Sequence, residues 1–141
     1  MDWDERHALW KALRSLDPAR VVELGRAKDA MRLAHQLGDA RLSSQWAQRA
    51  AQIAIRAGAG RAAELEIERA KLAQRAGRIV ACRHHAGQAL RANPHSADIN
   101  EEAAEILLHW GDRRRAAACL SRPRASDNAP PNPKLLLRQA W

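Results

Sequence analysis

Cys82, His84 and His85 are the residues of this chain that come nearest, by type and spacing, to a chemical site. Thiolate and imidazole groups bind metal ions and act as nucleophile and base. On an α-helix Cys82 and His85 share a face, whereas His84 points elsewhere, and the spacing supplies no further ligand. The sequence also has no glycine-rich phosphate loop, nucleophile elbow or paired-carboxylate motif. We therefore predict that the protein is not an enzyme and holds neither a metal nor a cofactor.

Arginine side chains offer a second kind of chemistry, the binding of phosphate groups. The formal net charge is +8, and residues 60–96 carry 7 basic and 3 acidic side chains. Aromatic side chains that could stack bases are not interleaved with them, so we expect contact with a nucleic-acid backbone only. An ordinary solvated surface is the alternative interpretation. The arginines that would contact phosphates are Arg78, Arg83, Arg91, Arg113, Arg114 and Arg115.

The composition predicts that helices position these side chains. Strong helix formers dominate, and Val and Ile are scarce, so we expect an all-α fold. Trp3 and Trp10 share a face of the first helix, where we expect core packing. An interior glycine, Gly25, indicates a close helix contact, and Cys82 and Cys119 are expected to be buried thiols. Helical patterns cover residues of about 2–16, 18–37, 40–57, 61–76, 78–92, 96–110 and 113–121.

Membrane insertion is not expected, because no apolar run approaches the roughly 18 residues that a membrane span requires. The first ten residues, MDWDERHALW, do not resemble a signal or transit peptide. We therefore expect a cytoplasmic protein.

A repeated turn is the strongest pattern in the chain. Gly38-Asp39, Gly77-Arg78 and Gly111-Asp112 are spaced 39 and 34 residues apart, and each separates two helical patterns. Helix pairs of this kind bury their apolar faces by stacking. The pattern therefore predicts stacked antiparallel helix hairpins, with an irregular helical bundle as the alternative.

The 34-residue unit resembles the tetratricopeptide repeat, in which small residues let paired helices cross closely and a proline ends the second helix. The resemblance covers about 100 of the 141 residues. It departs from the family at Glu66, Arg69 and Ala73, where Trp, Leu and Tyr are usual. The matching positions are Ala70, Gly77, Cys82, Ala89 and Pro94 in one unit, and Ala104, Leu107, Gly111, Ala116 and Leu120 in the next.

The resemblance implies a concave groove, lined by the first helix of each repeat, that binds a partner protein. It would be basic at one end and acidic at the other, which suits a protein segment of mixed charge. Solvated helix faces, with Glu105 and His109 paired one turn apart, are the alternative interpretation. The residues carried over as partner contacts are Lys28, Arg32, His35, Lys71, Arg75, Glu101 and Glu105.

The predicted organisation is one helical-repeat domain over residues 1–122, a proline-rich linker over 123–133 and a short apolar segment over 134–141. Trp141, in that last segment, is a further candidate contact. We therefore expect a non-enzymatic adaptor, scaffold or assembly subunit that binds another protein or a multi-subunit complex. The alternative is a basic, all-helical small subunit of a nucleoprotein complex, since such subunits of RNA-guided effector complexes resemble this chain in size, charge and helix content.

Overall fold

The computed structural model describes residues 2–121, which form seven α-helices and one short 3-10 helix. No strand occurs in this part of the chain, so the predicted all-α class is confirmed. Within it, no helix is both long and apolar enough to cross a membrane. The helices are α1 Trp3–Ser15, α2 Leu24–Gln36, α3 Ala40–Ala57, α4 Ala59–Arg75, α5 Ile79–Ala92, α6 Ala97–His109 and α7 Arg113–Ser121, with the 3-10 helix at Pro18–Arg20.

The predicted start of the second helix is wrong. Asp17 caps only the 3-10 turn, where its side chain accepts a hydrogen bond from the Ala19 amide at 3.0 Å. The backbone is extended at Val21, and α2 begins at Leu24. Two adjacent β-branched residues, Val21 and Val22, disfavour helix, and Arg49 Nε donates to the Val21 carbonyl at 2.9 Å. That contact holds the extended segment against α3.

The chain divides after Gly58 into two compact units. We describe each by itself, and the single domain expected over residues 1–122 stays a prediction. The proline-rich linker, the apolar segment 134–141 and Trp141 lie outside the described residues.

The first unit consists of the α2–α3 hairpin with α1 docked at its turn. Trp10 Nε1 donates to the Asp39 carboxylate at 2.9 Å, and Arg6 donates to the Leu37 carbonyl at 3.4 Å. Leu13 is the buried side chain of α1, whereas Trp3 is 79% exposed. Trp3 and Trp10 share a face of α1, and this face contacts the hairpin near Trp10. The predicted core packing of Trp3 is therefore wrong.

Gly25 does not mark a close helix contact, contrary to the sequence prediction. A side-chain carbon added there would meet no described heavy atom within 4 Å, and the residue is exposed in the first turn of α2. Its small size is therefore not required by packing.

The second unit consists of two hairpins, α4–α5 and α6–α7, with α6 packed against both α4 and α5. Small side chains dominate its core, so these helices approach closely. Cys82 and Cys119 are both buried there, as expected. The other small or apolar residues singled out by the repeat pattern are also buried, namely Ala70, Ala89, Ala104, Leu107, Ala116 and Leu120.

The three predicted glycine turns have the same geometry. Gly38, Gly77 and Gly111 adopt φ values of 76°, 73° and 80°, a region that L side chains rarely enter. In each turn the next amide donates to the carbonyl five residues earlier, at 3.1 Å for Asp39, 2.9 Å for Arg78 and 2.9 Å for Asp112. Only three residues therefore separate the two helices of each hairpin, which fixes the hairpin as antiparallel.

Candidate partner-binding groove

The candidate site lies on the second unit, where α4 and α6 run side by side in the same direction. Their amino-terminal halves meet near Glu64 and Asp98, and their carboxyl-terminal halves meet near Arg75 and His109. Ile67 and Ile106 are buried beneath them, so the polar side chains of both helices are left on the outer surface. This arrangement forms an open groove.

A buried polar contact joins α4 to α5. His85 Nδ1 lies 2.8 Å from Glu66 Oε2, with side chains that are 15% and 17% exposed, and Arg69 approaches the same carboxylate at 3.4 Å. Burial raises the pKa of Glu66, but the hydrogen bond with His85 and the positive charge of Arg69 lower it by more than burial raises it. The pKa of Glu66 is therefore below its usual value. The contact fixes how α4 is seated on α5.

Asn100 anchors the start of α6. Its side-chain amide donates to the Pro94 carbonyl at 2.9 Å and to the Ser96 carbonyl at 2.8 Å, and the residue is buried. Ser96 caps the helix by accepting a hydrogen bond from the Ile99 amide at 3.4 Å. The loop between α5 and α6 is thereby held in one conformation, which positions the α6 wall of the groove.

The groove has a volume of about 970 Å³ and is lined mainly by polar side chains. Arg75 and Arg113 contribute positive charge to its walls, and Glu102 and Glu105 contribute negative charge. The lining residues are Lys71, Gln74 and Arg75 from α4, Glu102, Glu105, Ile106, Leu108 and His109 from α6, and Arg113 from α7.

An ion pair crosses the groove near its middle. Lys71 Nζ lies 3.0 Å from Glu102 Oε2, and the two side chains are 50% and 43% exposed. An exposed pair of this kind contributes little to stability, but it directs both side chains across the groove. Lys71 and Glu102 therefore mark the boundary between its two ends.

A smaller acidic cleft of about 330 Å³ continues the groove towards the amino-terminal ends of the two helices. Glu102 lines both spaces, so they are contiguous. Glu64, Asp98 and Glu101 line the cleft, and none of its lining residues is basic. The charge along the combined surface therefore changes sign from one end to the other.

The structure places the predicted partner contacts in three sets. Lys71, Arg75 and Glu105 line the groove, and Glu101 lines the acidic cleft. The other predicted groove residues, Lys28, Arg32 and His35, lie on α2 of the first unit, where Arg32 pairs with Asp29 at 2.9 Å. Trp141 lies outside the described residues.

The six arginines predicted to contact phosphates do not form one cluster. Arg78 and Arg91 are at opposite ends of α5, about 20 Å apart along the helix. Arg83 is partly buried, and its Nε has no hydrogen-bond partner among the described residues. The remaining three lie on α7, where Arg113 lines the groove, Arg114 is exposed, and Arg115 approaches Asp112 at 3.9 Å.

Cys82, His84 and His85 make different contacts, although the rings of His84 and His85 meet edge to face with their centroids 5.2 Å apart. Cys82 is buried and accepts a hydrogen bond from Trp110 Nε1 at 3.2 Å, whereas His84 is exposed. His85 is engaged by Glu66. Within residues 2–121, no group of three His, Cys, Asp or Glu side chains is arranged to hold a metal ion.

No protein-family model, curated protein or solved structure matches this chain.

Sequence reasoning missed the residues that hold the groove in shape. Glu66 and Asn100 are 34 residues apart, so they occupy the same position of the repeat, and both are polar. Their shared position in the repeat is a signal that the sequence contains. Their partners, His85 and the carbonyls of Pro94 and Ser96, are visible only once the helices are packed.

Proposed function

We propose that this protein is a non-enzymatic adaptor or assembly subunit that binds a segment of another protein in the α4–α6 groove. The observation that carries the proposal is the groove itself, an open surface in which Arg75 and Arg113 lie beside Glu102 and Glu105. Positive and negative side chains in one groove favour binding of a polypeptide, because a polypeptide segment can carry both negative and positive side chains that complement them.

A tetratricopeptide-like arrangement of the second unit is part of this proposal. Two features support it. The glycine turns at Gly77 and Gly111 have matching φ values and hydrogen bonds, and the core residues Ala70 and Cys82 have counterparts 34 residues later in Ala104 and Ala116. Successive first helices, α4 and α6, lie side by side, as they would on the binding face of such a stack.

The nucleoprotein alternative has less geometric support. Arg113 shares its groove with two glutamates, and Arg78 and Arg91 are far apart on α5. A phosphate backbone presents only negative charge, so the carboxylates of the groove would repel it. The experiment must therefore distinguish binding of RNA from binding of a peptide.

The test compares two variants that have the same net charge, because in each of them two basic residues are replaced by glutamate. Lys71→Glu with Arg75→Glu changes the groove, whereas Arg78→Glu with Arg91→Glu changes exposed positions of α5 outside it. A displayed library of random peptides is selected against the full chain, and the selected peptides are then titrated against both variants. We expect the groove variant to lose binding and the α5 variant to retain it.

Filter binding of single-stranded RNA at about 50 mM salt completes the experiment. If the α5 variant loses RNA binding that the wild-type chain shows, the nucleoprotein function replaces the adaptor. If selected peptides bind both variants as tightly as the wild-type chain, the groove is not the binding site.

A further inference from the structure

The charges of the groove and its acidic cleft are ordered along the helices. On α4, Glu64 lies at the acidic end and Arg75 at the basic end; on α6, Asp98 and His109 occupy the corresponding ends. Each pair is separated by eleven residues, or about 16 Å along a helix. The α4 wall therefore carries its charges in this order, whereas carboxylates line α6 from Asp98 to Glu105, and the positive charge at the basic end comes from Arg75 and from Arg113 of α7.

Charges of opposite sign partly cancel in the middle of the groove and at both of its ends, and this reduces the difference in charge between the ends. Lys71 and Glu102 pair across the middle at 3.0 Å, so the centre contributes little net charge. At the acidic end, Arg61 pairs with Glu64 at 3.2 Å, but Asp98 and Glu101 add further negative charge. At the basic end, Arg75 and Arg113 together outweigh Glu105. The ends retain opposite signs.

We propose that the groove binds an extended protein segment whose charges are segregated, with acidic residues at one end and basic residues at the other. This inference rests on the proposed function. An extended chain advances about 3.3 Å per residue, so a 16 Å separation corresponds to about five residues between the charged groups. Acidic side chains of the segment contact Arg75 and Arg113, and its basic side chains contact Asp98 and Glu101.

A comparison of peptides with identical composition tests the charge order. The probe is a fluorescent peptide with three glutamates, five Gly or Ser residues and three lysines. Its control has the same residues with the charges alternating along the chain. Fluorescence anisotropy with the full chain at low salt should give about tenfold tighter binding of the segregated peptide, as one or two additional exposed ion pairs would produce. Equal affinities for the two peptides would overturn the proposal.

Reversing the charges at the two ends of the groove provides a second measurement. Arg75→Glu should weaken binding of the segregated peptide about fivefold, and adding Asp98→Lys to that variant should restore it, because the peptide can then bind in the opposite direction. Arg91→Glu, an equal charge change outside the groove, should leave the affinity unchanged. Thermal melts first establish that each variant is folded. A double variant that binds no better than Arg75→Glu contradicts the proposed charge order.

The two proposals fail in different ways. If the library yields peptides that require Lys71 and Arg75 but carry no segregated charge, the adaptor function stands and the charge-order inference is wrong. If the selected peptides do not depend on the groove at all, both are wrong.

Discussion

His85 Nδ1 lies 2.8 Å from Glu66 Oε2 and joins the two helices of the central hairpin within its packed interface. Counted from the turn glycine, these positions correspond to Ala27 and Trp46 in the first hairpin, which are both buried. A hydrogen-bonded polar pair thus replaces an apolar pair at equivalent positions of two hairpins. The central hairpin, which supplies the α4 wall of the groove, is the one with the polar contact.

Removal of one partner from this pair should cost more than removal of both. Glu66→Leu leaves His85 without its carboxylate, and we expect the free energy of unfolding to fall by about 1–2 kcal/mol. The double variant Glu66→Leu with His85→Leu should recover most of that loss, because apolar side chains then pack at both positions. Urea denaturation of the single and double variants measures both effects. A double variant with the summed loss of the two single variants would contradict this account.

The same contact predicts a dependence of stability on pH. The pKa of Glu66 in the folded protein is held below its ordinary value of 4.5, since His85 and Arg69 outweigh the effect of burial. An unfolded chain therefore binds more protons at this group as the pH falls below 4.5. The stabilising contribution is fully present above pH 4.5 and is lost as the pH falls through the folded-state pKa.

Glu66→Gln isolates this contribution, because glutamine does not titrate. We expect the stability difference between the wild-type chain and Glu66→Gln to shrink as the pH is lowered from about 4.5 towards about 3. Chemical denaturation at each pH measures that difference. A difference that grows on acidification would show that the carboxylate is not stabilised by its neighbours.

Arg78→Asp should stabilise the chain. Asp39 and Asp112 each follow a turn glycine and accept a hydrogen bond from an amide in the next helix, at 3.0 Å and 3.3 Å respectively. Arg78 occupies the equivalent position before α5 and makes no such cap. An aspartate there would cap α5 and add about 0.5–1 kcal/mol to the free energy of unfolding.

Arg78→Ala is the matched control for this prediction, because it removes the same positive charge without supplying an acceptor. Denaturant unfolding of the two variants should separate the cap from the charge. If Asp and Ala at this position give the same stability, the capping argument is wrong.

Asn100→Asp should destabilise the chain more than Asn100→Ala at neutral pH. The alanine variant loses two hydrogen bonds to the carbonyls of Pro94 and Ser96, at a cost of about 2 kcal/mol. The aspartate variant places a buried carboxylate against those carbonyl oxygens, which repel it. Thermal melts at pH 7 and pH 4 measure the difference. The aspartate variant should regain stability at the lower pH, and an unchanged difference would contradict the assignment.

Local patterns predicted most of the helical elements. Apolar spacing and the turn glycines located α3, α5 and α7 to within one residue at each end, because a helix and its caps are determined by residues close in sequence. The start of α2 was wrong because Arg49, 28 residues from Val21, holds that segment out of the helix.

Long-range contacts account for what the sequence did not predict at the candidate site. The groove residues Lys71, Arg75, Glu101 and Glu105 were predicted from the resemblance to the tetratricopeptide repeat, and they line the groove or its acidic cleft. Glu66 and His85 are 19 residues apart, and their pairing depends on the rotation of α4 against α5. Helical spacing places Glu66 on its own helix, but it does not identify a partner on another helix.

The three-residue joints that contain Gly38, Gly77 and Gly111 have a consequence for changes in chain length. Adding one residue between the glycine and the following helix would rotate that helix by about 100° and turn its apolar stripe away from its neighbour. Insertions and deletions are therefore tolerated poorly at these three joints. The loop at residues 93–96 is longer, but Asn100 and the Ser96 cap hold it in one conformation, so an insertion there would disturb the start of α6.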